Sequence, residues 1–303
     1  MLRSFFLFLS RNRSLRHYFE TSRSAASLTK RFVAGNTLEE GMAVNRQLAD
    51  RGIFVALDHL GENVSSEVEA AGAAREIIAA LDRIGQAGTN TTVAIKLTQF
   101  GLDLGDELCR RHLRPVFERA SALGTRVEID MESTVYTERT LAIVKEMHSD
   151  FGCVRAVLQA YLYRTEQDVA ELNHLGVPIR LCKGAYQESS DLAFAAKSDV
   201  DTNFVKLMET LLREGTDPAI ASHDERILTR ALAYSKQLKL APDRYEFQML
   251  YGIRRQWQQR LVDQGQRLRL YVPYGEAWYP YFMRRLAERP ANVIFLATNM
   301  LES

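Results

Sequence analysis

A chain of 303 residues with 46% hydrophobic and 25% charged positions has the make-up of an ordinary globular protein and the length for one large core. Lys and Arg number 39 against 38 Asp and Glu, and a net charge of +1 sets up no field that would gather nucleic acid or an anionic membrane. The apolar run Phe5–Leu9 falls far short of the ~20 residues a spanning helix needs, and Cys109, Cys153 and Cys182 show neither CxxC nor zinc spacing, so free thiols in a reducing, cytoplasmic setting without metal are expected.

Residues 1–40 are rich in Arg, Ser and Phe and carry a single acid, Glu20, before Glu39. That composition suits an organellar transit peptide. The plainer reading is an amphipathic helical arm with Phe5, Phe6, Leu9, Leu15 and Phe19 on its apolar side, packed on a main domain spanning 41–303.

Beyond residue 40, short β-rich runs alternate with stretches of helical period. The predicted strands are Ile53–Leu57, Thr92–Leu97, Arg126–Met131, Val154–Gln159, Ile179–Cys182, Ala219–Ser222, Tyr245–Leu250 and Leu268–Val272. Between them lie predicted helices at Val64–Ala87, Leu104–Leu123, Thr137–His148, Gln167–Leu175, Asp201–Arg213, Glu225–Leu238 and Ile253–Gln264. Roughly eight βα units in ~260 residues is the proportion of a (β/α)8 TIM-type barrel. The chain has neither GxGxxG nor GxxxxGK[ST], as an open nucleotide-binding sheet would. The run Val293–Ala297 reads as a further strand or an extended cover.

Barrel enzymes hold their chemistry at the C-terminal ends of the strands. Here those ends are polar in turn: Asp58 and His59, Lys96, Asp130 and Glu132, Gln159 and Tyr161, Arg180, Lys183 and Tyr186, Ser222, His223 and Asp224, Gln248, then Tyr271 and Tyr274. One such residue is usually a solvated cap, but a whole ring converging on one mouth is costly to desolvate unless its members meet each other or a ligand. Lys96 and Asp130 end consecutive strands, as a mouth ion pair or a plain buried salt bridge. Arg180 and Lys183 precede Gly184, a basic turn open to a phosphate. His59 and His223 read as hydrogen-bonding groups, and His17, His112, His148 and His174 as helix-surface residues. After the last strand, Pro280 suits a helix first turn, and Tyr281, Arg284, Arg285 and Glu288 then share one helical face. Adjacent arginines beside aromatics make a carboxylate clamp, although a solvated helix with an i,i+4 ion pair reads the same way.

The stretches IKLTQFG, VEIDME, LQAYL, RLCKGAY, SHD, FQMLYG, LYVPYG and YFMRRLAE occur in this order between about Leu57 and Asn292. Together they resemble the proline dehydrogenase family in its short, monofunctional bacterial form. The resemblance implies a distorted barrel with its last helix above the mouth and FAD bound noncovalently. It implies that Lys96, Arg284 and Arg285 hold the proline carboxylate, that Tyr271, Tyr281 and Leu250 wall the ring, and that Glu288 braces the arginines. Asp130, paired with Lys96, and Arg180, near the flavin N5, are the expected catalytic pair. Gln159 would meet the pyrimidine edge, Met131 the ring system, and Lys183, Gly184, Ala185, Tyr186, Ser222 and His223 the rest of the cofactor. The expected reaction turns L-proline into Δ1-pyrroline-5-carboxylate with the Cα hydrogen facing the flavin. A membrane quinone takes the electrons, and a separate pyrroline-5-carboxylate dehydrogenase takes the product. Glu62 and Arg285 would form a gate. Two other readings of the same residues are a Schiff-base aldolase using Lys96 or Lys183 and a binding protein on a decayed barrel.

Overall fold

A computed structural model describes residues 31–61, 64–279 and 281. Eight parallel strands close into a barrel in sequence order: β1 Phe54–His59, β2 Thr91–Ile95, β3 Val127–Ile129, β4 Val154–Gln159, β5 Ile179–Cys182, β6 Ala219–Ala221, β7 Glu246–Leu250 and β8 Leu268–Tyr274. Closure comes from β8 pairing with β1, with Phe54 opposite Arg269 and His59 opposite Tyr274. Each predicted strand is present within a few residues of its expected bounds. The outer layer holds α1 Leu38–Ala49, α2 Glu67–Ala87, α3 Asp106–Ala122, α4 Thr134–Phe151, α5 Thr165–His174, α6 Lys197–Glu214, α7 Glu225–Gln237 and α8 Arg255–Asp263.

Two of the helix starts that differ from those the periodicity predicts have a local backbone reason. The second helix starts at Glu67, not Val64, because Ser66 is its N-cap and accepts a hydrogen bond from Glu69 N at 3.3 Å. The last starts at Arg255, not Ile253, since Arg254 sits in the left-handed region at φ 54°. The predicted helices do not include α1, which opens on a capping box: Glu40 N donates to Thr37 Oγ1 at 3.3 Å and Thr37 N to Glu40 Oε2 at 3.1 Å.

The expected boundary at 40/41 falls inside α1, and Phe32 and Val33 are already buried. Ala34 N donates to Pro273 O at 2.8 Å, tying this segment to β8. Residues 1–30 lie outside the described residues, as do Glu62 and the whole stretch 282–303. The expected helix above the mouth, with Arg284, Arg285 and Glu288, therefore lies outside them too.

Strands buried on both faces are apolar toward the helices. Toward the barrel axis, however, alternate positions carry charge: Glu128 on β3, Arg155 on β4, Arg180 on β5, Glu246 on β7 and Arg269 on β8, all buried. In this floor layer Arg155 donates to Glu246, to Asp217 Oδ2 at 2.8 Å and to Glu128 Oε1 at 3.4 Å. Arg269 Nε donates to Glu246 Oε1 at 2.9 Å, and its Nη1 to Val55 O at 2.9 Å. Burial opposes ionisation of Glu128, but Arg155, Arg180 and Arg269 overcome it and hold its carboxyl below the ordinary range. In Glu246, burial is likewise outweighed, by Arg269 and Arg155, and its carboxyl lies well below the ordinary range.

Candidate active site

One layer above the floor, the strand ends bring Asp58, Lys96, Asp130, Arg180 and Tyr271 together. Lys96 follows β2 and is followed by a 3-10 turn, Leu97–Phe100, whose Gln99 Oε1 accepts from Lys96 N at 3.0 Å and fixes the backbone there. Its ammonium donates to Asp58 Oδ1 at 3.2 Å and lies 3.5 Å from Asp130 Oδ2 and 3.5 Å from the Tyr271 hydroxyl.

The Lys96–Asp130 pairing is thus present but secondary, for two reasons. Asp58 is the nearer acid, and Asp130 is gripped at Oδ1 by Arg180 Nη2. The Tyr271 hydroxyl donates to the other oxygen, Asp130 Oδ2, at 2.7 Å. Burial, then the charge of Asp58, pushes the Tyr271 phenol well above its ordinary value, so it remains a donor. Arg180 is itself held from below: Nη1 donates to Glu128 Oε2 at 3.0 Å and to Gln248 Oε1 at 3.3 Å. Its guanidinium carbon stands 5.3 Å from the Tyr271 ring centroid.

The second group of expected residues lines the β4–β6 side. Gln159 is buried; its Nε2 donates to Glu132 O at 2.9 Å, and its Oε1 accepts from Ala185 N at 3.4 Å. Met131 is buried just past β3, and Ser222 just past β6. Gly184 has φ +114°, and a Cβ there would stand 2.1 Å from the Tyr161 ring, so only glycine fits this turn. Gly184, Ala185 and Tyr186 are exposed.

Lys183 differs from the others: its ammonium is bridged to Asp201 and, at 2.9 Å, to Asp224. Burial of Asp201 and Asp224 is outweighed by Lys183, and both carboxyls lie below their ordinary range. His223 Nε2 accepts from Leu250 N at 2.8 Å, so that nitrogen carries no proton and the ring pins the β7 end. Leu250 is half-buried and Tyr281 buried. His59 packs on Tyr274 with ring centroids 5.2 Å apart.

Sequence patterns place Asp58 and Gln248 among the polar strand ends without naming their partners, and do not single out Glu128. Glu128 and Asp130 stand two residues apart, as do Glu246 and Gln248, and acids or amides repeating at strand period are the available signal. Lys96 and Lys183, the two lysines that a Schiff-base aldolase would use, both have carboxylate partners, Asp58 and Asp224.

A closed barrel carrying a ring of paired charges at the C-terminal strand ends defines a TIM-barrel enzyme. The chain matches the family model described as Proline dehydrogenase over residues 42–298. It is 40% identical to Proline dehydrogenase 1 of Bacillus subtilis (strain 168), with 100% of each chain covered. It is 37% identical to the Proline dehydrogenase of Deinococcus radiodurans, with 91% of each covered. Proline utilization A from Bdellovibrio bacteriovorus, solved after inactivation by N-propargylglycine, superposes with a TM-score of 0.83 at 25% identity over 94% of this chain. This chain spans 36% of the length of that one. The chain belongs to the proline dehydrogenase family and is an oxidoreductase.

Proposed function

We propose that the chain oxidises L-proline to Δ1-pyrroline-5-carboxylate with bound FAD as the immediate acceptor and a quinone as the onward one. The observation that carries this is the mouth cluster, in which Lys96 and Arg180 stand among Asp58, Asp130 and Tyr271 in a chain similar over its whole length to proline dehydrogenases.

The residues present fit a planar, electron-accepting ring with an anionic tail. Met131 offers an apolar surface, Gln159 an amide edge and Arg180 a cation. The turn of Gly184, Ala185 and Tyr186 is exposed just past the end of β5 and would offer backbone groups to an anionic tail. These residues, with Lys183, Ser222 and His223, would hold FAD, which when bound supplies a two-electron acceptor.

The product corrects one expectation. In Δ1-pyrroline-5-carboxylate the carboxylate stays on a saturated carbon and the C=N lies on the other side of the nitrogen, so the hydride leaves proline Cδ, not Cα. The amine must be neutral when it leaves, and the remaining N–H proton is released as the C=N forms. Lys96 contributes a charged donor for the substrate carboxylate, and Arg284 and Arg285 are proposed as the other two, with Glu288 bracing them. Leu250, Tyr271 and Tyr281 wall the apolar ring, and excluding water there strengthens each charged contact. Arg180, held in place by Glu128 and Asp130, would present a fixed positive charge to bound FAD, which would supply the electron-accepting chemistry. A Glu62–Arg285 gate, reoxidation at a membrane surface and hand-over of the product to a separate pyrroline-5-carboxylate dehydrogenase complete the proposal. No described helix is long and apolar enough to cross a membrane.

Purified protein is expected to be yellow and to bleach on anaerobic addition of L-proline. A colourless preparation, or a yellow one indifferent to proline, would overturn the assignment. An Arg284→Met/Arg285→Met double variant is expected to raise KM for proline strongly, each charged contact being worth about 1.5–3 kcal/mol. Normal affinity in that variant would refute the clamp.

A further inference from the structure

Asp58 is a charged group of the Lys96 cluster to which the proposed reaction assigns no task. It lies near the end of β1 with 0% of its surface exposed. A carboxylate taken out of water is costly unless both oxygens are hydrogen-bonded. Here Oδ1 accepts from Lys96 at 3.2 Å, while Oδ2 is buried with no hydrogen-bond partner among the described residues. Its cross-strand neighbours are Ala94 of β2 and Pro273 of β8. The small alanine leaves the space beside Lys96 to the acid, and the proline has no N–H to offer it.

What the acid does follows from counting donors on Lys96. An ammonium has three N–H groups, and among the described residues Asp58, Asp130 and Tyr271 already stand within 3.5 Å of it. A substrate carboxylate is accommodated only when one of these contacts is released. Asp130 and Tyr271 can release theirs, because the Tyr271 hydroxyl donates to Asp130 and Arg180 grips the same carboxylate from its other oxygen. Asp58 has no such grip from a second cation among the described residues, and releasing Lys96 would leave it a buried carboxylate without an ion pair.

We infer that Asp58 is a positioning residue: it anchors the Lys96 ammonium on the β1 side of the mouth, while Asp130 and Tyr271 are the contacts that yield to the substrate carboxylate. The inference rests on the reading of Lys96 as a carboxylate ligand, and its test separates the two.

The holoenzyme and its D58N, K96M and D58N/K96M variants are compared for kcat and KM with L-proline. Calorimetric Kd is measured for cyclopentanecarboxylate, which keeps the carboxylate and ring but has no nitrogen to oxidise. D58N is expected to raise KM and Kd about tenfold, the size of a coupling between contacting charged groups, with kcat changed much less. D58N/K96M is expected to bind as K96M does, because an anchor has nothing to hold once the ammonium is gone. Weaker binding in K96M with none in D58N overturns the anchor and leaves Lys96 as a ligand; so does D58N/K96M binding well below K96M, since independent effects would add. Unchanged binding in K96M overturns both. Should D58N alone fail to fold, the comparison of D58N/K96M with K96M still decides between anchor and independent effect.

Discussion

Two charged layers are stacked inside this barrel, and they differ in what their charges still have to give. In the floor, Arg155 and Glu246 have no exposed surface, and their partners surround them: Glu246 receives Arg155, Arg267 and Arg269, and Arg155 reaches Glu128, Asp217 and Glu246. In the mouth, the side chains of Lys96 and Asp130 keep 11% and 14% of their surface, two of the Lys96 contacts are as long as 3.5 Å, and Asp58 Oδ2 has no hydrogen-bond partner among the described residues. The residue types are the same in both. Pairing sealed from water makes a scaffold, even with Arg155 Nε lacking a partner among the described residues, and looser pairing facing an opening makes a site. Arg180 belongs to both layers, with Glu128 below and Asp130 above.

The sharpest break between the layers is Arg155→Met. It leaves Glu246, Glu128 and Asp217 short of a cation and is expected to cost about 3–5 kcal/mol of stability, read from the urea midpoint. KM per folded molecule should not move. Asp130→Asn should do the reverse, lowering kcat/KM roughly 10- to 100-fold, equivalent to about 1.5–3 kcal/mol for a charged hydrogen-bonding partner, with a melting curve close to wild type. If both variants lose stability and activity together, the separation of layers is wrong.

The pH dependence of stability comes next. Glu128, Glu246 and Asp217 are held below their ordinary values in the fold, so the unfolded chain binds more protons as the medium is acidified. Their contribution is complete above the ordinary carboxylate range, near 4.5 for Glu. It is lost as pH falls through the folded values, at about 1.4 kcal/mol per pH unit for each proton taken up. Chemical denaturation between pH 3 and 7 should therefore show a plateau and then a steep acid limb, shallower in Glu246→Gln. Tyr271→Phe, which deletes one hydrogen bond to Asp130, is expected to lower kcat/KM by a factor equivalent to about 0.5–1.5 kcal/mol. Smallest is Glu171→Gln on the outer helices: its 2.8 Å pair with Lys145 is exposed, and the loss should stay below about 0.5 kcal/mol.

Much of the fold is legible in the sequence because its signals are local. Runs such as Val154–Gln159 and Ile179–Cys182 carry strand propensity within themselves, and the alternation with helical periods fixes the barrel class. The motifs likewise single out Lys96, Asp130, Arg180 and Tyr271. Pairing is not legible. Nothing local distinguishes Asp58 as the nearest acid to Lys96, because the two lie 38 residues apart and meet only through the β1–β2 register. Nor does sequence show that Lys183 is bridged by Asp201 and Asp224.

The chain by itself determined the elements, their order and the inventory of charged groups at the strand ends, since each depends on residues within a turn or a strand length of one another. Barrel closure decided which acid faces which base and how much water each retains. Ion pairing inside a protein depends on distance and desolvation, and both are set by strands that are remote in sequence.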